Sequence, residues 1–393
     1  MIGNRMTPFV PEHLPISSVN WAAHVSLLGR ANRALARYEG VLYSVPNPGV
    51  LLAPLTTQEA VLSSKIEGTQ ASLNDVLQFE AGELFADENT ETDIREIQNY
   101  RQALRKAEEA LREKPMHLNM LLQMHETLLD SVRGRDKGRG RFRTVQNWIG
   151  ANDCPIERAV YVPPSPEILP DHLDRWEKYY HFEEKDPLAQ LAIIHAQFEI
   201  IHPFLDGNGR IGRLLIPLFL HEKKVLSRPM FYLSEYLEAN RDEYVNRLRA
   251  LGQPGSWDDW IAFFLMALES QAELNSSKAR AILDLYEKLK IQVIDATHSQ
   301  FAVPLLDFLF ERPIFNMRVL TADKRSPSAP MVATLIKKLR EKGILTVLRE
   351  GSGRRAAVLA LPSLINLCEG RDVLKERVPQ GRSLPQPSTP VRK

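Results

Sequence analysis

The sequence predicts a mainly α-helical chain, a long helical region with one small β-hairpin, followed by a smaller α+β unit. Three observations carry this. Apolar residues recur at helical spacing from about Trp21 to Leu289. That rhythm is broken at an acidic stretch read as a loop, Glu83 to Asp93, at an Arg/Gly-rich segment, and at a short alternating run, Val160–Val162, which Pro163 and Pro164 end. Beyond residue 300, three apolar-periodic segments precede two strand-like runs that flank Gly351-Ser352-Gly353.

Composition sets the class. The 393 residues, 44% hydrophobic and 25% charged, suit two or three globular domains. A net charge of +1 does not favour a dedicated nucleic-acid binder. Two widely separated cysteines, Cys154 and Cys368, argue against a disulfide framework and for a reducing compartment. No stretch reaches the roughly 18 apolar residues that span a bilayer, and the first residues do not read as a signal peptide. The expectation is a cytoplasmic protein without a membrane partner.

Within the long helical region, Asp186-Pro187 reads as a helix start, and Leu188, Leu191, Ala192, His195, Phe198 and His202 follow at helical spacing. Pro203 then takes the chain out of the helix and exposes the His202 imidazole. The helix C-terminus favours the protonated ring and should keep its pKa from falling far. A second helix starts near Asn208, with Ile211, Leu214, Leu215 and Leu218 on one face and a bend expected at Pro217. Between them, Gly207 and Gly209 let backbone amides approach an anion at a helix N-terminus. Asp206 supplies a carboxylate for a metal, and Arg210 and Arg213, three apart, could both grip one polyphosphate. A base, a metal carboxylate, an anion nest and two arginines are the equipment of phosphate chemistry. Alone, a histidine at a helix end and an Asp-Gly-Asn-Gly turn are ordinary structural features. A di-iron reading of Glu199 and His202 needs a second Glu-x-x-His pair, which the chain lacks. His195 reads as a structural residue.

The stretch from His202 to Arg213, His-Pro-Phe-Leu-Asp-Gly-Asn-Gly-Arg-Ile-Gly-Arg, resembles the signature of the Fic family at all nine fixed positions. The resemblance implies transfer of AMP from Mg-ATP to a Ser, Thr or Tyr hydroxyl of a target protein, and of the chain itself. It makes His202 the base, Asp206 the Mg²⁺ ligand, Gly207, Asn208 and Gly209 the anion hole, and Arg210 and Arg213 the phosphate clamp. The phosphotransferring Doc branch usually carries lysine where this chain has Gly209, so AMP transfer is the better reading. Ser63-Ser64-Lys65-Ile66-Glu67-Gly68 resembles the family's inhibitory helix, placed at about 57–70, with Ser63, Glu67 and Gly68 as its fixed positions. Glu67 would occupy Arg213 and spoil the nucleotide pose. Val160, Tyr161 and Val162 resemble a flap that docks target backbone by strand addition. Tyr236 and Asn240, four apart, resemble the helix that faces the adenine.

The domains expected are an N-terminal helical region, 1–110, a Fic catalytic domain, 111–290, a winged-helix domain, 291–368, and a disordered tail, 369–393. The winged helix rests on helices at Phe301–Arg312, Ile314–Asp323 and Pro330–Lys342, and on strands at Ile344–Arg349 and Arg355–Leu361. Its Lys337, Lys338, Arg340, Lys342, Arg354 and Arg355 suit phosphates, but target docking or homodimer formation ranks ahead of DNA. The alternating run Arg133, Arg135, Lys137, Arg139, Arg141 and Arg143 reads as scaffold more than as a phosphate track. Trp257, Trp260, Phe263 and Phe264 read as core. The alternatives kept open are a DNA-binding regulator with a Fic-like module, and removal of AMP by the same site.

Overall fold

The computed structural model describes residues 7–130, 137–150, 154–353 and 355–375. The helices run α1 (Trp21–Ser44), α2 (Pro48–Leu51), α3 (Ala53–Ile66), α4 (Leu73–Glu80), α5 (Glu88–Leu111), α6 (Leu118–Leu128), α7 (Leu169–His181), α8 (Pro187–Ile201), α9 (Asn208–Glu222), α10 (Ser234–Ala239), α11 (Arg241–Ala250) and α12 (Ser256–Thr297). Then come α13 (Ala302–Glu311), β1 (Ile314–Asn316), α14 (Met317–Ala322), α15 (Ala329–Glu341), β2 (Thr346–Arg349), β3 (Val358–Ala360) and α16 (Pro362–Glu369). The chain is mainly helical, with one small three-stranded sheet among the described residues. It divides into two compact units: Met1–Pro48, Leu55–Phe79 and Leu84–Ala281 form the first, and Gly49–Pro54, Glu80–Glu83 and the residues from Ile282 onward the second.

In the first unit, α8 is apolar around its whole circumference and buried along almost its whole length, as a central helix must be. It packs on α7, α9 and α1, while α5 packs on α6 and α9. Two indoles fasten it. Trp176 Nε1 donates to the Ile194 carbonyl at 3.0 Å and Trp260 Nε1 to the Ala192 carbonyl at 2.8 Å. Trp257, Trp260, Phe263 and Phe264 are buried core, as expected. Asp186 caps α8, its carboxylate accepting from the amides of Leu188 and Ala189. The second half of the acidic stretch expected as a loop, from Glu88 on, is helix. Asp87 accepts from the amides of Asn89 and Thr90, and Glu88 and Glu91 then sit in the first turn of α5, where the helix dipole favours negative charge.

In the second unit the sheet order is β1-β3-β2, both pairs antiparallel. Ile314–Asn316, expected as the start of a helix, is a strand. Ile314 and Phe315 suit a buried sheet edge, and Asn316 stops the strand by capping α14 through the amides of Arg318 and Val319. Leu305, Leu306, Leu309, Val332, Leu335, Ile336 and Leu339 fill the core beneath it. Among the described residues no helix is long and apolar enough to cross a membrane. Arg133, Arg135, Arg354 and residues 376–393 of the expected tail lie outside the described residues.

Candidate active site

The site is the junction of α8 and α9. His202 caps α8 with a left-handed backbone, φ 49°, unusual for a residue with a side chain, and Pro203 follows it out of the helix. Arg143 stabilises that exit. It is buried, donates from Nε to the His202 carbonyl at 2.9 Å, and reaches the Pro164 and Ile201 carbonyls with Nη2. The last residue of the basic run is therefore a helix C-cap, and Arg139 likewise spends itself on the Glu126 carbonyl and Asp130.

The imidazole of His202 is half-buried, more enclosed than expected. Burial pushes its pKa down to about 4, against the upward pull of the Glu199 carbonyl, Glu67 and Asp206. The helix C-terminus does not hold it near its ordinary value, because desolvation is the larger effect. A carbonyl can only accept, so Nδ1, 3.3 Å from the Glu199 oxygen, carries the hydrogen. The Nε2 lone pair is then available for a proton.

The loop after Pro203 is pinned by the side chains of Asn208, Asn147 and His125. Asn208 folds back on Phe204, accepting from its amide and donating to its carbonyl, both at 2.8 Å. Asn147 donates to the same carbonyl at 2.9 Å. His125 of α6 stacks on the Phe204 ring at 3.8 Å, accepts from the Gly140 amide at Nδ1, and so donates from Nε2 to the Asp206 carbonyl at 3.0 Å. Burial lowers its pKa to about 4, which keeps this neutral tautomer. Gly207 takes φ 78° at the N-cap of α9, where its amide is 2.6 Å from Asp206 Oδ1. The helix continues through Pro217 to Glu222.

The two arginines face different partners. Arg210 is buried against Glu96 of α5, Nη1 to Oε2 at 2.9 Å, and against Asp206 at 3.4 Å; its Nε is buried without a hydrogen-bond partner. Arg213 is buried and held by α3: Nε donates to Ser63 Oγ at 2.8 Å, and Nη2 to the Ser63 carbonyl at 2.9 Å and to Glu67 Oε1 at 2.6 Å. Burial raises the carboxyl of Glu67, but Arg213, then Arg210 and His202, outweigh it and leave its pKa below the ordinary value. Burial likewise opposes the charge of Arg213, yet Glu67, Tyr244 and Glu199 raise it overall. Gly209 is what lets Glu67 in. A Cβ built there would lie 2.3 Å from Glu67 Oε1 and 2.9 Å from Arg213 Nη1. Gly68, at φ 106°, ends the helical turn beyond Glu67.

Three buried groups support the pair. Glu59, one turn before Ser63, accepts from the Ser234 amide and hydroxyl and anchors α3; burial pushes it up to about 7. His195 is the structural residue expected: Nδ1 donates to the Gly212 carbonyl at 3.1 Å, leaving Nε2 to accept from Tyr244 at 2.9 Å. The Tyr244 oxygen also faces the Arg213 guanidinium, whose charge favours its ionised form against burial. Glu199 lies so close to Gly212 that a Cβ there would come within 2.1 Å of Oε1, and burial raises its pKa to about 8.

Tyr236 and Asn240 are joined, Asn240 Nδ2 donating to the Tyr236 carbonyl at 2.9 Å, where Lys65 meets Glu238 at 2.7 Å beside the end of α3. The flap is slighter than a strand. Ile149 and Tyr161 form an isolated antiparallel bridge, with Val160 exposed and Val162 buried, because the two prolines that follow withhold the donors a ladder needs. Tyr161 turns inward and donates to the Ile200 carbonyl at 2.7 Å.

Residues 25–109 match the Fic/DOC family N-terminal model and residues 115–220 the Fic/DOC family model. The chain is 29% identical over 196 residues to a probable protein adenylyltransferase of Aquifex aeolicus (strain VF5), covering 50% of this chain and 54% of that protein. It is 32% identical over 103 residues to the protein adenylyltransferase fic-1 of Caenorhabditis elegans, covering 25% and 18%. It thus spans about half the length of the first relative and less of the second. In fold it is similar to a Fic family protein from Desulfovibrio desulfuricans G20, with a TM-score of 0.56 at 21% identity over 90% of this chain and 98% of that one. With the motif, the loop geometry and both family matches in place, residues 25–109 carry a Fic/DOC N-terminal domain and residues 115–220 a Fic/DOC domain.

Proposed function

We propose that the chain is an autoinhibited protein adenylyltransferase, which transfers AMP from Mg-ATP to a Ser, Thr or Tyr hydroxyl of a target protein and of itself. The observation that carries this reading is the 2.6 Å contact between Glu67 and Arg213 at the mouth of the glycine loop. An inhibitory carboxylate set on the phosphate-binding arginine has a use only where a polyphosphate is to be held.

In this reading the neutral His202 takes the target's proton at Nε2 while the hydroxyl oxygen attacks the α-phosphate and pyrophosphate leaves. The amides around Gly207, Asn208 and Gly209 receive developing charge on the phosphate oxygens. Arg213 exchanges Glu67 for the terminal phosphate, and Arg210, with its spare buried Nε, backs the loop from the Glu96 side. Tyr236 and Asn240 border the adenine. Among the described residues no cluster of three or more His, Cys, Asp or Glu could hold a metal, and Asp206 is a single half-exposed carboxylate. That fits Mg²⁺, which takes one or two carboxylates and completes its shell with phosphates and water. When bound it would neutralise phosphate charge. Glycine rather than lysine at 209 supports AMP transfer over phosphate transfer.

The second unit reads as a winged helix from its order of three helices and a β1-β3-β2 sheet. Its basic residues support docking or self-association more than DNA binding: Lys338 donates to the Thr297 carbonyl, Arg340 pairs with Glu350, and Lys337 lies 3.9 Å from Glu341. Only two cysteines, Cys154 and Cys368, far apart in the sequence, support a reducing compartment, the cytoplasm.

The test is incubation with Mg²⁺ and α-labelled ATP, comparing the parent with Glu67→Gly. Label on protein should rise sharply in the variant and vanish when His202→Ala is added. No label in any of them overturns the reading.

A further inference from the structure

The outer edge of the flap is already taken. Ile149 uses both backbone groups of Tyr161, its amide donating to the Tyr161 carbonyl at 2.8 Å and its carbonyl accepting from the Tyr161 amide at 3.1 Å. The Val160 amide donates to the same Ile149 carbonyl at 2.7 Å, while the carbonyl of Val162 accepts from the Phe9 amide at 2.9 Å. The Phe9 ring lies 5.9 Å from the Tyr161 ring and presses on Gly252, where a Cβ would come within 2.8 Å of it. Glu12 fastens the continuing chain, its carbonyl accepting from Gln197 Nε2 at 2.7 Å and its carboxylate from Trp257 Nε1 at 3.2 Å. Pro11, Leu14 and Ile16 are buried.

We propose that residues 8–12 are a built-in competitor for the edge on which an extended, hydroxyl-bearing target peptide docks, so that a target must displace them before its hydroxyl can be presented. This rests on the transferase reading. It adds a second gate: Glu67 controls the nucleotide, and the strap controls the peptide. The strap is made to be displaced. Pro8 and Pro11 have no amide hydrogen, and Val10 is exposed at 66%, with no backbone bond to the flap among the described residues. One rung is therefore all it sets against the flap. A peptide without prolines offers amides at every second position and gains rungs the strap cannot make.

The experiment uses the full-length chain carrying His202→Ala, which binds without turnover, and a fluorescein-labelled decapeptide of alternating Val and Thr as probe. With Phe9→Ala added, the probe's Kd should tighten about fivefold, because less of the protein is held in the strapped form. An unchanged Kd overturns the proposal. Two measurements do not depend on that variant. Backbone amide exchange at Phe9 should speed up when the probe saturates the protein, and retained protection overturns the proposal. A free peptide of residues 7–16 should displace the probe from the Phe9→Ala protein, and a failure to compete at millimolar concentration overturns it. The two readings fail separately. Absence of label from α-labelled ATP in Glu67→Gly removes the enzyme, whereas strong labelling with a Phe9-independent peptide affinity removes the strap alone.

Discussion

Replacing Gly209 by Ala should switch the site on without touching Glu67. The added Cβ would stand 2.3 Å from Glu67 Oε1, and ordinary contact begins at 3.4 Å, so the carboxylate must withdraw by the difference, about 1.1 Å. The Glu67–Arg213 contact is 2.6 Å, and a retreat of that size takes it to roughly 3.7 Å, outside hydrogen-bond range. A charged hydrogen bond contributes roughly 1.5–3 kcal/mol. The Glu67 side chain is 41% exposed, so solvent screening lowers the figure to about 1 kcal/mol. That corresponds to about a fivefold gain in the fraction of molecules whose Arg213 is free for phosphate. Gly209 has no positive φ to forbid the substitution, and Ala suits the first turn of α9 better than Gly does. The assay is incorporation of label from α-labelled ATP at subsaturating nucleotide, with Glu67→Gly and the double variant alongside. The double variant separates relief of inhibition from obstruction of phosphate by the new methyl. If it labels as fast as Glu67→Gly while Gly209→Ala alone stays at the parent rate, the steric account of how the carboxylate reaches the arginine is wrong.

The remaining predictions concern the buried groups around this pair. In the Glu67→Gly background, kcat/KM should stay level as pH falls from 7 and break only at or below about 4, where His202 takes up a proton. Removing Glu67 takes away one of the charges that raise that pKa, so the break cannot move upward; a limb near 6.5 would show an ordinary histidine instead. Glu199 keeps in the folded state a proton that the unfolded chain gives up between about 4.5 and 8, so stability contributed at this position falls as pH rises through that window. The slope is at most about 1.4 kcal/mol per pH unit, and Glu199→Gln should flatten it and melt higher than the parent at pH 8; equal melting curves across the range contradict the burial argument. Tyr244→Phe removes the oxygen beside the Arg213 guanidinium and the donor that fixes His195, and should raise KM for ATP about fivefold with a smaller change in kcat. A loss of thermal stability with KM unmoved would make Tyr244 a packing residue only.

The α8–α9 junction was legible in the sequence because every part of it is local. A capping Asp, an apolar helix, a proline stop, two glycines and a second helix occupy one uninterrupted stretch, and local chemistry dictates local backbone. Charge environment was not legible. The C-terminus of α8 does favour a protonated His202, but the depth at which the ring sits depends on segments far away in the chain, and desolvation overrides the dipole. The acidic stretch misled for a related reason. Acidic residues suggest a solvated loop until Asp87 is recognised as a cap, after which they become a favourable first turn. Ile314–Asn316 misled because three apolar and polar residues fit either period, and only pairing with β3 decides between them.

The two arginines show what spacing can and cannot establish. Three residues apart on α9, they read as a double clamp on one polyphosphate, and the helix does place them on neighbouring positions. Each, however, is oriented by a carboxylate that arrives from elsewhere in the chain, Glu96 of α5 for Arg210 and Glu67 beyond α3 for Arg213. The difference between those carboxylates is informative. Glu96 is buried, 10% exposed, and parting it from Arg210 would strand a charge away from water, a cost of several kcal/mol. Glu67 is 41% exposed, so water can receive it when it lets go. On the proposed reading, Glu96 is a permanent brace and Glu67 a releasable latch, and solvent access is what sets them apart. A latch of that kind can be opened by a modest force, such as a phosphate competing for the same guanidinium, whereas the brace keeps the loop in shape while the exchange takes place.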